Sequence, residues 1–154
     1  MKTKKRGEIT VLIVEDQLGM RRIIRTVLQS LSANSVVEAG DGAQALEILR
    51  ARNRNWAHDV VARNVRSKLE VQPIDLILAD WAMPNMTGLE LLRAVRKDPN
   101  WMNLPFVMLT AEDSKEQIVE AMKLGVTDYV IKPFTANVLE AKLRSLIEEK
   151  FAED

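Results

Sequence analysis

Short, almost wholly apolar runs alternate with helical patterns along this chain, and three of the runs end on charge. Val11-Leu12-Ile13-Val14 precedes Glu15-Asp16, Ile74-Asp75-Leu76-Ile77-Leu78-Ala79 precedes Asp80, and Tyr129-Val130-Ile131 precedes Lys132-Pro133. Such alternation is the pattern of repeated βαβ units and a parallel sheet. In an open parallel sheet, ligands bind in the crevice beyond the carboxyl ends of the strands. Three carboxylates and an ammonium are therefore expected at one crevice. Carboxylates a few ångström apart repel strongly, so three of them call for a cation between them.

The first strand is read as Ile9 to Val14. A helix follows from Gln17 to Ser30, with Met20, Ile23, Ile24, Val27, Leu28 and Leu31 on one face. A short strand is expected near Ser35 to Glu38, then a helix from Asp41 to Arg50 with Ala45, Leu46 and Leu49 inward. Ile74 to Asp80 has the composition of a central strand covered on both faces. Thr87 to Arg96 is the next helix, stopped by Asp98-Pro99. Pro105 to Thr110 is the fourth strand. Ser114 caps a helix running to Leu124, and Gly125 suits its end. Thr127 to Ile131 is the fifth strand, and Thr135 to Lys150 a terminal amphipathic helix.

The 154 residues suit one domain. Balanced charge, with 22 basic and 22 acidic residues, argues against a general nucleic-acid binder. The absence of cysteine excludes a disulfide framework, thiolate catalysis and a Cys-based zinc site. No apolar run approaches the ~20 residues of a membrane span. Met1 to Glu8 is basic but lacks the apolar core of a signal peptide, so cytoplasmic residence and a solvated N-terminal tail are expected.

One stretch breaks the rhythm. Ala51 to Pro73 stands where a short loop would suffice. Trp56, Val60, Val61, Val65 and Leu69 fall near helical spacing, and Arg50, Arg52, Arg54, Arg63, Arg66 and Lys68 oppose only Asp59 and Glu70. An extended or inserted helix with a basic face is expected. It is read mainly as a solvated element, with docking of a partner or a second copy as the bolder alternative. His58, the single histidine, is read as a surface residue.

The strand-end residues suggest phosphoryl chemistry. A carboxylate can attack phosphorus and hold the phosphoryl group as a mixed anhydride, provided a cation neutralises the nucleophile and the transferring oxygens. Mg²⁺ suits this because it prefers oxygen ligands and retains several waters. Glu15 and Asp16 are candidate metal ligands, and Asp80 is a candidate ligand and nucleophile. Lys132 is placed to pair with Asp80 at rest and with a phosphoryl oxygen afterwards. The hydroxyl of Thr110, ending the fourth strand, is placed to donate to that oxygen.

Val-Glu-Asp, Asp-Trp-Ala-Met-Pro-Asn-Met-Thr-Gly, Leu-Thr-Ala-Glu and Asp-Tyr-Val-Ile-Lys-Pro-Phe, in that order, resemble the receiver domain of two-component response regulators. Met20-Arg21-Arg22 and Trp81 through Met86 resemble the stand-alone chemotaxis regulators of the CheY type. The resemblance spans Ile9 to Lys150, with Ala51 to Pro73 unmatched. It implies a flavodoxin-like doubly wound (βα)5 fold with a five-stranded parallel sheet in order 2-1-3-4-5. The receiver domain would occupy 9–150 with an insertion at 51–73, between tails at 1–8 and 151–154.

The resemblance also implies roles. Asp80 is the phosphoacceptor, charged by a sensor histidine kinase or phosphotransfer protein. Mg²⁺ is bound by Asp16 directly, by Glu15 through water, by Asp80 and by the backbone carbonyl of Ala82. Thr110 and Lys132 sense the phosphoryl group, and the Tyr129 rotamer reports activation. Lys132-Pro133 is expected to be cis. Phosphorylation adds roughly −1.5 to −2 charge. It would change the surface formed by the helix from Ser114 to Leu124, the fifth strand and the terminal helix, and so change binding to a downstream protein. The implied protein is a signalling domain, not an enzyme with external substrates; it is a monomer or weak dimer without membrane or nucleic-acid partners. Output is expected by binding, because no DNA-binding or catalytic domain follows Asp154.

Ala82 departs from the chemotaxis pattern, which carries asparagine there. Its side chain normally lies near the water that hydrolyses the acyl phosphate, so an altered phosphoryl lifetime is expected, with Glu112 a second influence. Three alternatives stand against the leading reading. A phosphatase of the haloacid dehalogenase type would want an acid at position 82. A flavodoxin-like cofactor binder would want a Ser/Thr/Gly-rich loop where Gln17-Leu18-Gly19-Met20 stands. A phosphate-blind scaffold would not need the full acceptor set.

Overall fold

The computed structural model describes residues 4–33, 35–53, 72–111 and 115–151. Five strands, β1 (Thr10–Val14), β2 (Ser35–Ala39), β3 (Leu76–Asp80), β4 (Phe106–Thr110) and β5 (Asp128–Ile131), form one sheet in the order β2-β1-β3-β4-β5. Every neighbouring pair is parallel, with Val14 opposite both Ala39 and Ala79, Asp80 opposite Leu109, and Thr110 opposite Ile131. The described helices are α1 (Leu18–Ser30), α2 (Gly42–Ala51), α3 (Gly88–Lys97), α4 (Lys115–Lys123) and α5 (Ala136–Lys150), after a 3-10 turn at Arg6–Glu8. This is the doubly wound fold expected from the sequence.

Successive side chains of a strand point to opposite faces, so each central strand feeds two cores. Val11, Ile13, Leu76 and Leu78 pack under α1 and α5 against Ile24, Leu28, Leu139 and Leu143. Leu12, Val14, Ile77 and Ala79 pack on the other face against Leu46, Leu49, Leu91 and Leu92 of α2 and α3. All residues of β1, β3 and β4 are buried, which explains why they are apolar except at one end of each, where Thr10, Asp80 and Thr110 stand.

Several sequence boundaries shift by a residue or two. Ile9, Ile74, Pro105 and Thr127 precede their strands instead of opening them, and β2 runs on to Ala39 because Val14 supplies its partner. Three helices start one residue late because Asp41, Thr87 and Thr135 are caps. Their side chains accept from the backbone amides of Gln44, Glu90 and Val138. Glu90 also reaches back to the Thr87 amide, completing a capping box. Gly125 ends α4 at φ +84°, as its position suggested, whereas the Ser114 cap lies outside the described residues. On α1, Ile24, Val27, Leu28 and Leu31 are buried, but Ile23 is 46% exposed and Met20 only half-buried. The sheet covers a narrower stripe than the apolar arc of that helix, and Ile23 lies off it.

Residues at both ends of the domain join the folded body. Lys4 pairs with Asp75 at 2.7 Å, and the same Asp75 oxygen accepts from the Thr10 amide at 2.8 Å. Phe151 is buried in the α1–α5 core. Arg96 of α3 holds the far end of the sheet by donating to the carbonyls of Leu104 at 2.8 Å and Gly125 at 2.8 Å. After α2, Arg52 donates to the Gln72 carbonyl at 3.1 Å. The basic, Trp56-containing element and His58 fall in 54–71, outside the described residues. Among the described residues no helix is long and apolar enough to cross a membrane.

Candidate functional site

The carboxyl ends of β1, β3, β4 and β5 meet at one crevice. Glu15 follows β1 directly, and its amide bonds to the Ala39 carbonyl at 3.0 Å. Its side chain is fully buried, while that of the next residue, Asp16, is exposed. Asp80, the last residue of β3, is 6% exposed. Thr110 ends β4, is 2% exposed, and takes the Lys132 amide on its carbonyl at 2.7 Å. That bond extends the β4–β5 ladder by one step and aims Lys132 back over the sheet end. The Lys132–Pro133 bond is cis, as the resemblance implied.

Lys132 Nζ lies 3.1 Å from Asp80 Oδ1 and 3.8 Å from Glu15 Oε2. One oxygen each from Glu15, Asp16 and Asp80 lie within 4.8 Å of one another. The sequence-derived acidic set and its lysine are thus brought together. Ala82 sits in the loop two residues past Asp80. Tyr129 is half-buried on β5 opposite Met108, with the Lys142 ammonium 5.8 Å from its ring centre.

Glu15 carries most of the electrostatic tension. As a carboxylate, neither of its oxygens finds a hydrogen-bond partner. Burial pushes its carboxyl up to about 7; the Asp80 charge adds to this, as does the hydrogen bond to Asp80 that only a protonated Glu15 can make. Lys132 pulls the other way, and Asp16 adds a smaller upward push. Buried, donorless carboxylate oxygens grouped with two further carboxylates fit a hard divalent cation. The donor set is all oxygen, which suits Mg²⁺ better than a softer metal.

Backbone contacts fix the loop after β3. The Trp81 amide bonds to the Leu109 carbonyl at 2.8 Å, the Gly88 amide to the Trp81 carbonyl at 2.8 Å, and the Met86 amide to the Pro84 carbonyl at 2.7 Å. Asn85 takes a left-handed backbone, φ 66°, which asparagine tolerates. Sequence reasoning missed Asn85, Asp41 and the packing role of Gly88. The sequence reading placed Thr87 and Gly88 only in the helix that follows, and the contact of Asn85 with Asp41 is between residues far apart in the chain.

Comparison with known proteins agrees with this geometry. The model of the response regulator receiver domain family matches residues 61–144. The chemotaxis protein CheY of Pseudomonas aeruginosa is 41% identical over 138 residues, covering 90% of this chain and 95% of that protein. The solved chemotaxis protein CheY4 of Vibrio cholerae superimposes with a TM-score of 0.67 at 30% identity, covering 89% of this chain and 97% of that one. The receiver domain of a sensor histidine kinase from Pseudomonas aeruginosa PAO1 was solved with magnesium coordinated in its active-site cleft. It superimposes with a TM-score of 0.65 at 25% identity, covering 92% of this chain and 96% of that one. A doubly wound 2-1-3-4-5 sheet, a carboxylate cluster with its lysine at the strand ends, and these matches lead to one conclusion: the chain is a response regulator receiver domain, homologous to the CheY chemotaxis proteins.

Proposed function

We propose that the chain is a cytoplasmic, phosphorylation-switched binding module whose chemistry is confined to its own Asp80. The observation that carries this reading is the Asp80 carboxylate, buried at a strand end, held by Lys132 at 3.1 Å and grouped with Glu15 and Asp16. A carboxylate oxygen of Asp80 attacks the phosphorus of a phosphohistidine on a histidine kinase or phosphotransfer protein. The new O–P bond forms as the P–N bond breaks, and the imidazole leaves. Lys132 holds Asp80 before transfer and follows the charge to a phosphoryl oxygen afterwards. The Thr110 hydroxyl donates to the same group.

Glu15, Asp16, Asp80 and the carbonyl of Ala82 would hold Mg²⁺. Bound there, it offsets the charge of the nucleophile and of the transferring oxygens. The fit is supported by the donorless oxygens of Glu15 and by the magnesium in the related sensor-kinase receiver domain.

Inward movement of Thr110 and Lys132 leaves room for Tyr129 to turn in, which shifts the population of the adjoining surface. That surface carries exposed Val119, Met122, Ile131 and Val138. Beside it an open groove of about 670 Å³ runs along β5 and α5, lined by Asp128, Val138, Lys142 and Leu146 among others. Exposed apolar residues around a groove suit a protein partner. The chemotaxis relatives make chemotaxis signalling the favoured pathway.

Intact-mass spectrometry after incubation with acetyl phosphate and Mg²⁺ tests the reading. One added phosphoryl group is expected on the parent, none on Asp80→Asn, and none with a chelator. A phosphoryl group retained by Asp80→Asn would remove Asp80 from its role.

Ala82 carries no side-chain amide. Ala82→Asn supplies a group able to orient water, so the phosphorylated protein is expected to decay several-fold faster. An unchanged decay rate, followed by loss of the added mass, would sink this. Glu112 lies outside the described residues.

A further inference from the structure

The loop that carries Ala82 is tied to a helix on which neither the acceptor nor any metal ligand resides. Asn85 Nδ2 donates to Asp41 Oδ2 at 3.0 Å, across 44 positions of sequence. The other Asp41 oxygen, Oδ1, accepts from the Gln44 amide at 2.9 Å and so caps α2. One carboxylate therefore does two separate jobs with its two oxygens. Both bonds, that from Gln44 first, hold the Asp41 carboxyl below its ordinary value, so it is an anion under ordinary conditions. Immediately beside it α2 and the loop are in close contact. A Cβ on Gly42 would lie 2.8 Å from Cγ and Sδ of Met86.

The loop is thus clamped at two places. At its base, Gly88 sits so close that an added Cβ would lie 2.3 Å from the Asp80 carbonyl oxygen, and its amide bonds to Trp81. At its apex, Asn85 sits in a left-handed backbone conformation with its side chain on Asp41. Ala82 lies between the two clamps. A backbone carbonyl has no rotamer of its own, so its direction is set wholly by where the loop is held.

We propose that Asp41 is a positioning residue for the acceptor loop, fixing through Asn85 the stretch that presents the Ala82 carbonyl at the metal site. The inference rests on the proposed function, because it needs that carbonyl to be a ligand. Loss of a group that orients a metal ligand typically weakens metal affinity by about tenfold or more. The cap and the clasp can be separated by substitution. Serine caps a helix as well as aspartate does, but it has one oxygen and a shorter reach. Asparagine keeps the cap and offers an NH2 group to a flipped Asn85 amide.

The test uses the full chain labelled with [15N]glycine, in which Gly88 reports on the base of the loop and Gly42 on the start of α2, against which Met86 of the loop packs. Mg²⁺ is titrated alone, and Gly88 amide exchange is measured without metal. Asp41→Ser and, independently, Asn85→Gly are expected to weaken Mg²⁺ binding about tenfold and to speed Gly88 exchange, with the urea midpoint nearly unchanged. Glycine at 85 accepts the left-handed backbone freely, so only the clasp is lost. Asp41→Asn is expected to restore both readouts. Parent-like Mg²⁺ affinity and Gly88 exchange in Asp41→Ser and Asn85→Gly would overturn the inference. Failure of the parent itself to bind Mg²⁺ would overturn the underlying functional reading instead.

Discussion

Replacing Glu15 by glutamine is expected to make the metal-free protein more stable above pH 7 while weakening Mg²⁺ binding by about tenfold or more. The two effects share one cause. The Glu15 carboxyl is raised from 4.5 to about 7, chiefly by burial and then by Asp80. In the unfolded chain it titrates near its ordinary value. Between these two values the folded protein binds the extra proton, so the contribution of this group to stability is fully present below about 4.5 and lost as pH rises through 7. The full loss is worth up to about 3 kcal/mol. The Glu15→Gln variant carries no such charge, so its urea midpoint should lack this slope and exceed that of the parent at pH 8, the two converging near pH 4.5. Conversely, Mg²⁺ affinity of the parent should rise with pH until Glu15 is ionised, then level off. Urea melts at pH 4.5, 6 and 8, with and without Mg²⁺, check both signs. A glutamine variant less stable than the parent at pH 8 without metal would show that Glu15 is not held under electrostatic stress.

Gly88→Ala is expected to cost about 2–3 kcal/mol and to slow phosphorylation roughly a hundredfold. The new Cβ would lie 2.3 Å from the Asp80 carbonyl oxygen, 2.8 Å from the Met108 sulfur and 3.0 Å from the Trp81 Cα. Two of these are backbone atoms, so no rotamer change relieves the overlap. Either α3 moves away from β3 or the end of β3 moves, and Asp80 moves with it. Gly19→Ala is the natural control. Nothing lies within 4 Å of its added Cβ, and it sits within a helix, so it should be neutral or mildly stabilising. Urea midpoints and rates of mass gain with acetyl phosphate compare the pair. Equal behaviour of the two alanine variants would refute the packing argument.

Much of the site was legible because a strand projects its last residue in a fixed direction. Once Val11–Val14, Leu76–Ala79 and Tyr129–Ile131 are read as parallel strands, Glu15, Asp80 and Lys132 must lie at one edge. The structure places Asp80 and Lys132 3.1 Å apart accordingly. Ile23 was misassigned for an equally physical reason. Periodicity marks an apolar arc on α1, but only the curvature of the sheet decides how wide a stripe of it is covered.

The amino-acid order by itself determined the element types, the sheet order through its family signature, and which charges stand at strand ends. These follow from local propensity, side-chain alternation and motif spacing. Tertiary structure alone decided the rest. It left both Glu15 oxygens without a donor, brought Asn85 against Asp41 across 44 residues, and pressed Gly88 onto the Asp80 carbonyl. Each depends on how closely two elements approach, a distance set by packing of the whole core.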